Sequence, residues 1–278
     1  MGALWSSIWT SVNFLLQTEV HVYCFAVAVN VLISFFPFLV AMIILCRWVF
    51  HWKAGVDAIV QTVANYFPAS FGVDFRSYLT VASFQKFSWL SVLLLLFTAN
   101  GIFTPLEVAF NRIWGVKTNR SFLRNQAVGL GLIFVCGALI LISVSAGALN
   151  AGFLSAKFGD SHRNAVFQSA VFRVFALLVT MLMIFLVYWR LPNTKIPVKR
   201  LIPASAVVAA LLELSKYLNT LTWPWLSEKL HRDVPPFVQS ISIVFWSFAA
   251  TLIVLAGAEW SARVKLETLE DTETNAKQ

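Results

Sequence analysis

The sequence predicts an all-α fold: a polytopic integral membrane bundle of six transmembrane helices, with amphipathic helices lying at its surfaces. Three observations carry this. Of the 278 residues 59% are apolar and only 12% charged, about half the usual charged share of a globular chain. The apolar residues include 25 Phe and 11 Trp, more than a soluble domain of this length can bury. They are also gathered in runs of about 20 residues or longer, which cross a hydrocarbon core of about 30 Å at a helical rise of about 1.5 Å per residue.

The segment 1–20 opens with LWSSIWTSVNFLL. Leu4, Trp5, Ile8, Trp9, Val12, Leu15 and Leu16 form one helical stripe, and Ser6, Ser7, Ser11 and Asn13 fall mostly opposite. That pattern predicts an interfacial helix too short to span. The membrane domain follows over 21–262. Its first span, 22–46, has no formal charge and contains Pro37, which frees a backbone carbonyl near Ser34 and bends the helix. An outer loop over 47–86 places Val56, Ile59, Val60, Val63 and Phe67 on one face, as expected of an amphipathic surface helix. The second span is 87–106 and the third lies within 125–156. The fourth covers about 168–189, the fifth about 201–226 and the sixth 234–258. Ser143, Gly147 and Ala151 give the third a small-residue stripe suited to close helix packing. The tail, 263–278, is polar and expected to be disordered.

The net charge of +8 reads as orientation rather than nucleic-acid binding. Arg112, Lys117, Arg120 and Arg124 crowd one connection, and Arg190, Lys195, Lys199 and Arg200 another. Arg263 and Lys265 follow the last span. The opposite side carries Arg47, Lys53, Arg76 and Lys86 spread over its long loop, then Lys157 with Arg163 and Lys229 with Arg232. The density predicts cytoplasmic N- and C-termini. No Lys or Arg precedes Arg47, so no cleavable signal peptide is expected. Cys24, Cys46 and Cys136 lie in apolar runs without metal-ligand spacing and read as small packing residues.

Several stretches carry a resemblance. ISFFPF lies in the first span and NGIFTPLEVAFNRIWGVKTNRSFLRNQAVGL follows the second. YWRLPNTKIPVKRLIPASAVVAALLELSKY joins the fourth to the fifth, and LAGAEW closes the sixth. Together they resemble the YihY/BrkB family of bacterial inner-membrane proteins, over roughly residues 20–262. The resemblance implies six spans and a multi-pass location in the inner, cytoplasmic membrane. That family has been linked to serum resistance, described as transporter-like and formerly labelled ribonuclease BN-like.

A metal-dependent nuclease needs carboxylates or histidines converging on a metal pair. Here His21 falls on the inner side, and His51, His162 and His231 on the outer side. No Walker A loop, dinucleotide fingerprint, zinc spacing or Ser-His-Asp set is present. The expectation is therefore a non-enzyme, with no catalytic residue, metal, cofactor or nucleic-acid partner.

The candidate site rests on charge inside the spans. LLELSKYL places Glu213 and Lys216 three residues apart in the fifth, on one helix face. Counted from Arg200 they lie about 20 and 24 Å deep, and Arg173 lies about 25 Å from Arg190 on the fourth. An ionised side chain in lipid costs about 2.5–3.5 kcal/mol on insertion scales. Two readings stay open: a cluster of Arg173, Glu213 and Lys216 facing a substrate or ion path, or cations snorkelling to the headgroups with Glu213 as structural partner. Asn30 and Asn100 share a depth of about 12 Å from the inner edge and are candidates for an interhelical amide pair. At the inner edge, Glu107, Arg112, Arg190 and Glu259 are expected to form ion pairs fixing helix ends, or a gate. The partners implied are the lipid bilayer and an unidentified small molecule. The leading function is permease-like movement of a solute, ion or lipid-like molecule. The rival is a non-transporting envelope-integrity or scaffold protein.

Overall fold

A computed structural model of the chain describes residues 2–49, 51–66, 100–116, 120–158, 162–234 and 237–276. Every regular element among them is helical: α1 Gly2–Leu15, α2 Thr18–Ile44, a π turn Leu45–Val49, α3 Lys53–Tyr66, a 3-10 turn Asn100–Ile102, α4 Phe103–Ile113, α5 Phe122–Phe158, α6 His162–Arg190, α7 Val198–Asp233 and α8 Val238–Ala276. Five stretches among the described residues are long and apolar enough to cross a membrane: Thr18–Phe35, Phe122–Ser143, Arg173–Arg190, Val198–Asp233 and Ser240–Arg263. The protein is a polytopic helical membrane bundle. These five coincide with the expected first, third, fourth, fifth and sixth spans. The expected second, 87–106, lies outside the described residues up to 99, and its last residues form the 3-10 turn and the start of α4. Of the outer loop 47–86, the described part holds the expected helix as α3.

The tail differs from expectation. α8 continues as helix to Ala276, through the stretch expected to be disordered. Residues 264–276 contain no Gly or Pro. Extending an existing helix avoids the nucleation cost that a free peptide would meet.

The chain divides into two compact units. The first comprises residues 1–32, 101–129 and 181–278. Its organising element is α8, which packs against α7, α1 and α4. Tyr188 at the end of α6 is fully buried, and its hydroxyl donates to the Val254 carbonyl at 2.6 Å. Its ring meets Phe110 and Trp114 edge-on, with centroids 5.4 and 5.9 Å away. Gly257 permits the crossing beside it: a Cβ there would lie 2.1 Å from Val208 Cγ2 and 2.8 Å from the Tyr188 hydroxyl. α4 stops at a Schellman turn, in which Gly115 N–H bonds to Arg112 O at 3.1 Å and Val116 N–H to Asn111 O at 2.8 Å. Gly115 holds φ +64°, the left-handed conformation this turn needs and glycine supplies without a Cβ penalty.

The second unit comprises residues 33–100 and 130–180. α2 continues as helix through Pro37 and ends in the π turn. Trp52 N–H closes that turn onto Cys46 O at 2.7 Å, and α3 packs against it. On α5, Gly137 makes room for Met42: a Cβ would fall 2.7 Å from its sulfur. Cys24, Cys46 and Cys136 are free thiols and buried, as packing residues are.

Candidate functional site

The pair that stands out in the sequence forms. Lys216 Nζ lies 2.6 Å from Glu213 Oε1, and the side chains are 60% and 21% exposed respectively. The cation is presented outward and the carboxylate is tucked towards α7. Around them on the same helix Leu211, Leu214, Tyr217, Leu218 and Leu221 are all exposed, so the pair sits in an apolar sector.

Helix register gives its level relative to α8. α7 and α8 are joined by a short connection over 234–237 and therefore run antiparallel, and they touch where Val208 meets Gly257. Gly257 is two residues, about 3 Å, from Glu259. Lys216 is eight residues, about 12 Å, beyond Val208 in the other direction. Lys216 thus stands about 15 Å from the level of Glu259, half of a hydrocarbon core of about 30 Å.

Arg173 is exposed and belongs to the second unit, so the pair within the first unit is Glu213 with Lys216. The expected amides are also divided between units. Asn30 Nδ2 donates to Ala26 O of its own helix at 2.7 Å, a local bond that short polar side chains make readily. Asn100 is buried in the 3-10 turn of the second unit.

At the polar end of the first unit, the four residues expected to pair by depth take other partners. Glu107 is buried and accepts hydrogen bonds from the side chains of Asn111 and Asn125, with Arg120 as its cation. Burial pushes the Glu107 carboxyl above its ordinary range, against the opposing pull of Arg120 and the two amides. Arg120 donates to three successive carbonyls after α6: Arg190 O at 3.2 Å, Leu191 O at 3.5 Å and Pro192 O at 2.8 Å. Asn111 Oδ1 accepts from Asn193 N–H at 2.8 Å. One carboxylate, one guanidinium and two amides thereby fix the connection between α6 and α7 against α4 and α5.

Arg112 pairs instead with Glu19 and hydrogen-bonds Tyr23. Beside them a cavity of about 160 Å³ is lined by Glu19, Tyr23 and Arg112 together with Phe14, Val20 and Leu255, room for about five waters. Glu259 pairs with Arg263, one turn on. Arg263 Nη2 donates to Ser11 Oγ at 2.9 Å, and Ser11 Oγ donates to Glu259 Oε2 at 3.5 Å, which ties α1 onto α8. Arg190 holds its guanidinium 5.3 Å over the Trp189 ring.

Sequence reasoning passed over Arg120, Asn111, Asn125, Asn193, Glu19, Ser11 and Arg263 as partners. Two signals were available: Asn111 lies four residues after Glu107, and Arg263 four after Glu259, each on the same helix face. The others come from elements distant in sequence, which depth counting cannot bring together. No group of three or more His, Cys, Asp or Glu suited to a metal ion occurs among the described residues.

Comparison with known proteins fits this architecture. A UPF0761 membrane protein of Cronobacter sakazakii is 28% identical over 236 residues, covering 82% of this chain and 78% of its own. One of Acinetobacter baylyi is 30% identical over 178 residues, covering 62% of this chain and 41% of its own. One of Pseudoalteromonas translucida is 26% identical over 174 residues, covering 60% and 54%. The chain thus spans about half the length of these last two relatives. No solved structure matches it. The family described as "Virulence factor BrkB" matches residues 13–278, and the chain belongs to that family of membrane proteins.

Proposed function

We propose that this chain is a permease-like protein of the bacterial inner membrane, with both termini in the cytoplasm, and that it moves a small solute, ion or lipid-like molecule rather than catalysing a reaction. One observation carries the reading: the Glu213–Lys216 pair, with Lys216 60% exposed about 15 Å from the polar end of α8. A charge pair at that depth is costly to insert, and such charges as a rule mark substrate or ion paths. Lys216 presents its ammonium outward, so an anionic group on the passenger is the natural counterpart.

Replacing both members tests this. Removing one charge leaves the other without its counter-ion in an apolar sector, whereas replacing the whole pair is often neutral. Glu213→Gln with Lys216→Met is expected to melt in detergent near the parent temperature and to fail to complement a deletion strain. A well-folded double variant with full complementation overturns the reading. It would favour the second one, a non-transporting envelope protein, for which the exposed apolar face of α7 offers a partner surface.

A further inference from the structure

A second concavity lies in the first unit, between α2 and α8, and none of the charged residues lines it. Its volume is about 570 Å³, within the range of about 300–1,000 Å³ typical of small-molecule sites. On α2 it is lined by Phe25 and Leu32, seven residues apart on one face; on α8 by Ile241, Val244, Phe245 and Phe248, again one face. Phe237 closes one end, and the polar side chain in the lining is Ser240. The Phe25 and Phe248 rings meet at 4.6 Å and form the floor, with His21 stacked on Phe248 at 5.9 Å. Phe25, Phe237, Ile241 and Phe245 are each more than 40% exposed.

Phe25 and Leu32 lie in the span Thr18–Phe35, and all but Phe237 of the α8 lining in the span Ser240–Arg263. The medium around the groove is therefore hydrocarbon. From Phe237 to Phe248 it extends about 16 Å along α8, about half the apolar thickness of a bilayer and so about the depth of one leaflet. We propose that this groove is a binding site for an acyl chain of a membrane lipid, held against α2 and α8 by its aromatic floor. The proposal is independent of Glu213 and Lys216 and holds whether or not the protein transports anything.

The test uses the full chain in phosphatidylethanolamine–phosphatidylglycerol vesicles carrying a phospholipid with a diazirine in its acyl chain. After illumination the labelled residues are mapped by mass spectrometry. Label is expected to concentrate on Phe25, Leu32, Ile241, Val244 and Phe245. Ile241→Trp, which fills the groove, should lower that label about tenfold or more, the effect of losing one buried aromatic-sized contact. Label spread evenly over outward residues such as Leu182 and Leu221 overturns the proposal, and the map on the unmodified chain decides this even where the tryptophan variant fails to fold. Efficient disulfide formation between two copies of Ile241→Cys also overturns it, by showing that a second chain occupies the groove.

Discussion

Gly257 shows how narrowly one residue can be specified. Its missing side chain lets Val208 and the Tyr188 hydroxyl approach α8 closely enough for that hydroxyl to donate to Val254 O. Gly257→Ala should destabilise the protein by about 1–3 kcal/mol, the usual cost of overpacking a core. Adding Val208→Ala should recover part of the loss, read as a coupling term in a double-mutant cycle of detergent melts. A neutral single variant would mean that the crossing is loose. Glu107 makes a different prediction. Its carboxyl is raised by burial, so the folded state holds its proton more tightly than the unfolded one does. Its contribution is fully present below the ordinary carboxylate value near 4.5 and is lost as pH rises through the folded value. Glu107→Gln should flatten the fall in melting temperature that the parent shows from pH 5 upwards, whereas an equal pH slope in both would refute the assignment. The sequence revealed that Glu107 is a charge at a span end. It did not reveal Arg120 as its partner, because that meeting depends on how the connection after α4 folds back.

At the scale of elements, hydrophobic runs were legible and their registers were not. The five described spans lie where apolar length placed them, because the bilayer imposes one dimension on every helix. The level of Glu213 and Lys216 along α8 depends on a contact between helices, here Val208 on Gly257, which an apolar run does not encode. The connection 191–197 is likewise held by distant residues: Arg120 donates to three of the carbonyls that the end of α6 leaves open, groups that need a partner when no helix bond remains. Arg120→Ala should cost about 1–3 kcal/mol, since it leaves those carbonyls without their donor and removes the cation nearest in effect to the buried Glu107. Arg120→Ala with Glu107→Gln should melt at a higher temperature than Arg120→Ala alone. The reverse order would show that Glu107 and Arg120 do not act together. α1 offers a lighter test. It is held on α8 through Ser11, Glu259 and Arg263, so Arg263→Ala should speed proteolysis within residues 2–15 and leave the global melt within about 1 kcal/mol. Unchanged cleavage there would indicate that packing alone holds α1.

For the whole molecule the open quantity is parity. An odd number of crossings puts the termini on opposite faces of the membrane; an even number puts them on the same face. The described residues supply five candidate spans, and residues 87–99, outside them, are uncharged and lead into the buried 3-10 turn at Asn100. Together with 100–106 they are long enough to cross, at about 20 residues. The basic residues argue independently for the same parity. Arg112, Arg120 and Arg124 share a side with Arg190, Lys195, Lys199 and Arg200 in either case, because two spans separate them; that side also holds Glu19, at the start of the first span and paired with Arg112, only if 87–106 crosses, and cytoplasmic loops are where such basic residues gather. Six crossings are therefore expected, with both termini inside. Single cysteines at Ser6 and at Thr274, in a chain whose buried Cys24, Cys46 and Cys136 are replaced by Ala, should both resist an impermeant maleimide in intact cells and both react after lysis. Labelling of one position and protection of the other in intact cells would leave five crossings, with 87–106 lying along the membrane and Glu19 and Ser11 on the opposite side from Arg112 and Arg263. That outcome is incompatible with Arg112 pairing with Glu19 and with Arg263 donating to Ser11 Oγ, so the labelling also tests those contacts at the polar end of the first unit.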